Sequence, residues 1–347
     1  MSKLGYILIG DPHVVVDELA ECERLMDFVR QKLQTLADPT RQSLRVVFLG
    51  DLYNNHAHVR VEVMDFWTRT FNRLKDVPGN DIPAVQVYAL VGNHDRPHVG
   101  DTGHALQAHH QRNLRVIGTG SDCDQLTDAV AFVGYHPTNE GFLKEVHDQA
   151  AAGAKLIFGH QTINGAKYEN GFFAPDGVPV EQLPEGVKLI SGHIHTPQTV
   201  GPCWYVGAPR WRSISDANVD RHIHFIEVDG ETGEYEVVRS WSTDEVCTPI
   251  RLKTITTMEE AKELQKAPGL RVTVEGDESY VKKASEILRS KGIRFRGVIT
   301  HGHMVPGQIR ESEGVPQAFQ RFFQTFDPPG KTPKDVLQKM VAERVVL

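Results

Sequence analysis

Residues 4–10 (LGYILIG) form an unbroken apolar run closed by glycine, the pattern of a strand buried on both faces. Over 17–36 the apolar residues return near helical spacing, at Leu19, Leu25, Met26, Val29, Leu33 and Leu36, just ahead of Asp-Pro. That spacing predicts a helix which stops there. Segments 44–50 (LRVVFLG) and 84–92 (AVQVYALVG) repeat the strand pattern, 59–74 repeats the helical one, and Pro78-Gly79 marks a turn. Strands alternating with helices predict an α/β unit. Beyond Leu114 strand patterns come more often, at 114–117, 129–135, 156–159, 187–191, 204–206, 222–228 and 235–240, with Gly230 and Gly233 flanking a hairpin turn. This predicts a second, more antiparallel sheet, stacked face to face on the first between helices.

Near 242–249 the pattern resets. Strands are expected at 250–255, 270–274 and 295–300, with helices at 258–265 and 279–290. From 315 to 347, Phe319, Phe322, Phe323 and Phe326, then Val336, Leu337, Met340 and Val341, lie at helical spacing. They read as two amphipathic helices broken at 327–333. The fold class expected is therefore α/β: two stacked mixed sheets flanked by helices, plus a small α/β unit and C-terminal helices. The expected boundaries are 1–243, 249–304 and 305–347.

Composition narrows the classes. Hydrophobic and charged fractions of 40% and 24% are ordinary for a soluble globular protein, and a net charge of −7 argues against a surface coated with basic residues. No apolar run reaches the length of a membrane span. Cys22, Cys123, Cys203 and Cys247 lie far apart, so neither a cysteine zinc site nor a disulfide framework is expected. Chemistry-bearing residues follow Met1 so closely that no signal peptide is expected, and a reduced, cytoplasmic protein follows.

Five short motifs stand at predicted strand ends: Asp11 and His13 (GDPH), Asp51 (LGDLY), Asn93, His94 and Asp95 (GNHD), His160 (FGHQ), and His193 and His195 (SGHIH). Ligands in open α/β sheets bind beyond the carboxyl ends of the strands, so all five loops can meet at one rim. Carboxylates, imidazoles and one amide suit Mn²⁺, Fe²⁺ or Zn²⁺ better than Mg²⁺. One Asp can bridge two ions, and two ions about 3.5–4 Å apart clamp a phosphate and activate a water. Gly10, Gly50, Gly92, Gly159 and Gly192 precede these residues and are expected to let the chain turn sharply. Any one motif is weak; the five in this order are specific.

This ordered set resembles the calcineurin-like metallophosphoesterase superfamily over roughly residues 3–240. The resemblance implies that Asp11, His13, Asp51 and His195 hold one metal, and that Asp51, as the bridge, holds a second with Asn93, His160 and His193. It implies that His94 is the acid or orienting group beside the scissile phosphate, and that Asp95 fixes the His94 tautomer.

Three further features resemble the SbcD-type DNA nuclease subunit of bacteria and phages, which works with an SbcC-type ATPase. Segment 204–209 (WYVGAP), then 213–216, Arg221 and the strand 222–228 look like the end of that nuclease domain. The unit at 250–300 looks like its capping domain and carries Lys282, Lys283, Arg289, Lys291, Arg294 and Arg296, a strip suited to DNA phosphates. The terminal helices look like those that dock on the ATPase. The resemblance thus implies two divalent ions, Mn²⁺ first, with DNA and the ATPase as partners, no membrane, homodimerisation left open, and a bacterial cell or phage-infected host. Several of these nucleases carry a histidine three residues after the bridging Asp; here Asn54 stands there, and the nearest histidine is His56.

Other histidines are expected to be structural. His301 and His303 read as a loop, His109 and His110 as a helix end, and His136 follows a strand and faces the cleft. Two competing readings are a small-molecule phosphodiesterase or phosphatase on the same scaffold, and a non-catalytic subunit, against which the full ligand set speaks.

Overall fold

A computed structural model describes residues 3–36, 44–56, 58–75, 85–98, 100, 102–109, 113–169 and 171–300. The described residues fall into two compact units, one holding 3–253, 265–272 and 292–294, the other 254–264, 273–291 and 295–300. The expected helices over 315–347, and His110, His301 and His303, lie outside the described residues.

In the first unit the chain runs β1 (Lys3–Ile9), α1 (Leu19–Thr35), β2 (Leu44–Phe48), α2 (Val61–Lys75), β3 (Gln86–Leu90), β4 (Leu114–Ile117), β5 (Ser121–Asp124), β6 (Thr127–Val133), α3 (Asn139–Ala152), β7 (Leu156–Gly159), β8 (Lys188–Ser191), β9 (Gln198–Val200), β10 (Cys203–Tyr205), β11 (His222–Asp229) and β12 (Tyr235–Ser242). Two six-stranded sheets result, ordered β12-β11-β1-β2-β3-β4 and β5-β6-β7-β8-β10-β9. In the first, β1 to β4 are parallel, β11 pairs antiparallel with β1, and β12 pairs antiparallel with β11; in the second, β6, β7, β8 and β10 are parallel and only the edges β5 and β9 run antiparallel.

The second sheet is thus mainly parallel, not the more antiparallel sheet expected, and β4, β11 and β12 belong to the first. Adjacency along the chain does not choose between sheets: β11 pairs with β1, Leu4 opposite Val228, across more than half the sequence.

Four layers follow from three apolar clusters. Between the sheets lie Tyr6, Leu8, Val47 and Leu90 against Phe132, Phe158 and Ile190. The outer face of the first sheet packs on α1 and α2 through Phe28, Trp67 and Phe71, and that of the second on α3 through Phe142 and Val146. Tyr6, Ile7, Leu8 and Ile9 are all fully buried, as a central parallel strand demands. A buried ion pair crosses between the sheets: the Arg45 guanidinium of β2 donates to both oxygens of Asp124 on β5, and Tyr6 Oη donates to the same carboxylate at 3.1 Å. Loss of one partner would strand a buried charge, so removing either one is strongly destabilising.

The sequence pattern did not single out α3. Only Phe142 and Val146 are buried on it, so its apolar stripe is thin, but Thr138 caps its first turn by accepting from Gly141 N and Gly153 ends it in the left-handed region at φ 119°.

Beyond the sandwich come β13 (Arg251–Ile255), α4 (Met258–Glu263), β14 (Leu270–Gly276), α5 (Glu278–Ser290) and β15 (Arg294–Ile299), with a three-stranded sheet ordered β13-β14-β15. Thr257 and Glu260 form a capping box on α4, and Asp277 caps α5. Val281, Ala284 and Leu288 form the buried stripe of α5. Among the described residues no helix is long and apolar enough to cross a membrane.

Candidate metal centre

The loops after β1, β2, β3, β7 and β8 carry all seven expected ligands to one rim. Three overlapping groups have donor atoms within 4.8 Å of one another: Asp11, His13 and His195; His13, Asp51 and His94; and Asp51, His160 and His193. Asp51 faces both ways. Its Oδ2 lies 3.5 Å from His13 Nε2 and its Oδ1 3.5 Å from His160 Nε2. His13 Nε2 and His195 Nε2 approach to 2.9 Å, and Asn93 Oδ1 lies 2.9 Å from His193 Nδ1 and 3.2 Å from His160 Nε2.

Backbone geometry explains how so many donors converge. His13, Asp51 and His193 adopt φ of 44°, 50° and 78°, a region costly for residues with a Cβ. The turning strain therefore sits on the ligands themselves, where glycine was expected to carry it. Of the five preceding glycines only Gly50 has positive φ, at 109°. Gly192 serves a different need, close approach, since a Cβ there would lie 2.5 Å from Asp11 Oδ1.

Two of the imidazoles, those of His160 and His195, are turned by a partner on the far side of the ring. His160 Nδ1 donates to Leu49 O at 2.6 Å, which leaves Nε2 for the centre. Glu169 Oε1 lies 3.5 Å from His195 Nδ1 and accepts from His195 N at 2.8 Å. Asp51 Oδ1 accepts from His94 N and Asp11 Oδ2 from His193 N, both at 2.8 Å. Two fully buried arginines hold the ligand loops from behind. Arg210 donates to Pro12 O at 2.7 Å and His13 O at 2.8 Å, and Arg221 donates to His195 O and, at 2.5 Å, to Asp216 Oδ1. The sequence reading missed Glu169 and Arg210. Neither stands in a spaced motif, and only the fold brings them to the ligands.

His94 was expected to be oriented by Asp95. Instead Asp95 is buried and accepts from Tyr53 N at 2.9 Å and Gly92 N at 2.8 Å, so it closes the loops after β2 and β3. His94 Nδ1 donates to the backbone carbonyl of Asn54 at 2.8 Å. The His94 ring makes a T-shaped contact with His13 at 4.8 Å between centroids, and the His56 ring stacks on it at 4.3 Å.

Electrostatics favour cations here. Burial pushes Asp11 well above the usual carboxylate range. Burial also pushes on Asp51, but His160, His13 and His94 more than offset it and hold it well below. Burial depresses His160, yet Asp51 lifts it to about 9, while His193 falls to about 3 through burial and the charge of His160. The cluster thus draws a positive charge to its carboxylates, the charge a divalent ion would supply. Asp11 Oδ1 is buried without a protein partner, as an atom beside an ion would be. The donor set fits divalent metal.

The calcineurin-like phosphoesterase domain matches residues 6–197. The chain belongs to the calcineurin-like phosphoesterase family. That membership makes the rim of histidines and aspartates a phosphoesterase centre and the protein a metal-dependent hydrolase. No curated protein matches the chain. Among solved structures one match is GAP50, the anchor in the inner membrane complex of Plasmodium, at 13% identity and a TM-score of 0.36, covering 88% of this chain and all of that one.

The remaining expected residues differ in their surroundings. Lys282, Lys283, Arg289, Arg294 and Arg296 are exposed. Lys291 is engaged: its ammonium donates to the carbonyls of Ala261, Lys262 and Leu264 at the end of α4. His109 is buried after a single 3₁₀ turn and bonded to Tyr53 Oη at 2.7 Å, so packing rather than a helix dipole places it. His136 is buried, with its amide donating to Gln161 Oε1 at 3.3 Å.

Proposed function

We propose that this phosphoesterase is a two-metal phosphodiesterase that cuts DNA, an SbcD-type nuclease subunit acting in the cytoplasm with an SbcC-type ATPase, and that Mn²⁺ is its preferred ion. The observation that carries the two-metal reading is Asp51, whose two oxygens face separate histidine sets at 3.5 Å each. Asp11, His13, Asp51 and His195 would hold one ion, and Asp51, Asn93, His160 and His193 the other. Bound ions of this kind clamp a phosphate and lower the pKa of an attacking water.

The protein's own groups do the rest. His94 is locked by Asn54 O at Nδ1, so its Nε2 is the atom left for the phosphate: it accepts a proton in the neutral ring and donates to a phosphate or leaving oxygen only as imidazolium. Ring contacts with His13 and His56 help fix the plane of that imidazole. Glu169 and Leu49 O keep His195 and His160 in the tautomers that present Nε2 to an ion. DNA as substrate is supported by the exposed Lys282, Lys283, Arg289, Arg294 and Arg296, and by the resemblance of 204–228 to the end of that nuclease domain.

The test is incubation of the full chain with Mn²⁺ and linear duplex, single-stranded and hairpin DNA, beside thymidine 5′-(4-nitrophenyl phosphate). Metal-dependent cleavage of DNA is expected. Turnover of the small ester with no cleavage of any DNA would move the assignment to a small-molecule phosphodiesterase. No turnover of either would sink both.

A further inference from the structure

A cavity of about 510 Å³ opens immediately beside the centre, within the range that holds small organic ligands. It is built on the same two loops that carry His13 and Asp51. His13 N donates to Asp51 O and Val14 N to Leu52 O, both at 2.9 Å, and Val14 pairs with Tyr53 as an isolated bridge. The floor, made by Val14, Tyr53 and Val63, is buried. Val15, Val16 and Val59 extend it upward as apolar walls.

The polar groups at this cavity discriminate among ligands. Asn54 Nδ2 donates to Asn55 Oδ1 at 3.1 Å, and among the described residues no hydrogen bond engages Asn54 Oδ1 or Asn55 Nδ2. The pair therefore leaves one acceptor and one donor on residues that line the cavity, groups of the kind that meet a heterocycle's edge. Charge gives a second phosphate little hold, although His58 also lines the cavity. Arg60, on the rim, is already paired with Glu62 at 2.7 Å, and Asp17 beside it is negative. The cavity suits a flat, neutral group with apolar faces and a polar edge.

We infer that this cavity is a nucleobase subsite, which takes the base of the nucleoside flanking the scissile phosphate. The proposal rests on the phosphodiesterase reading and narrows its substrate class. Its place fits, since the Asn54 that lines the cavity is the residue whose carbonyl holds His94.

Two substrates with one leaving group test it: thymidine 5′-(4-nitrophenyl phosphate) and methyl 4-nitrophenyl phosphate, both with the Mn²⁺-loaded full chain. Wild type should prefer the nucleoside ester in kcat/KM by about tenfold or more, the discrimination that burying one base against apolar walls supports. Val16→Trp, which fills the cavity, and Asn55→Ala, which removes the donor, should each raise KM for the nucleoside ester and leave the methyl ester unchanged. Saturation-transfer NMR with free thymidine on the metal-free protein gives a readout apart from turnover, and the signal should vanish in Val16→Trp.

Should Val16→Trp depress both esters alike through misfolding, Asn55→Ala decides. If both variants treat the two esters alike and thymidine gives no saturation transfer to wild type, the subsite does not exist, though the phosphodiesterase reading stands. If neither ester is turned over, that reading fails, and thymidine binding alone then supports or overturns the subsite.

Discussion

His94 Nδ1 donates to the backbone carbonyl of Asn54 at 2.8 Å. The histidine set apart from the metal ligands is thus oriented by main chain. A main-chain acceptor does not change charge with pH or metal, so the ring keeps one tautomer. His94→Ala should retain its metal, measured by elemental analysis after desalting, and lose about 10²–10⁴ in kcat, the usual worth of a positioned acid or base. Loss of metal comparable to that of a His193 variant would show His94 to be a ligand.

Asp51 lies between two histidine sets, and its backbone holds φ 50° to do so. Asp51→Ala should lose both ions together under Mn²⁺ at a concentration that saturates wild type. Retention of one tightly held ion per chain would restrict Asp51 to a single shell.

Glu169 touches His195 at both the amide and the ring, and it comes from a loop with no motif. Glu169→Gln keeps the size and removes the charge. Metal affinity, measured by competition with a chelating dye, should fall by about 10–100-fold, as for other carboxylates behind a ligand histidine. An unchanged affinity would leave Glu169 a loop anchor only.

Lys282, Lys283 and Arg289 are exposed on or beside one face of α5. Changing all three to Ala should weaken duplex DNA binding and reduce the slope of log K against log salt by about one for each DNA phosphate no longer neutralised. Hydrolysis of thymidine 5′-(4-nitrophenyl phosphate) should be unchanged. Lys291→Ala should instead lower thermal stability, because its ammonium closes the carbonyls at the end of α4. A salt slope identical to wild type in the triple variant removes this face from the DNA surface.

The sequence by itself determined the strands and helices whose apolar residues keep a strong period, and the order of the ligand motifs at strand ends. Those properties are local: a parallel strand buried on both faces must be apolar throughout, and a ligand must follow it directly to reach the rim. A helix with a thin stripe, α3, left too little period to read, though Thr138 and Gly153 marked its ends. Only the tertiary structure decided that β11 and β12 join the first sheet, since pairing across a long loop leaves no trace in either strand's own pattern. It also decided that Asp95 serves Tyr53 and Gly92 while Asn54 serves His94, and that Glu169 and Arg210 stand behind the ligands. A backbone carbonyl carries no sequence signature, and a carboxylate on a loop acquires its role only when folding brings an imidazole within reach of it.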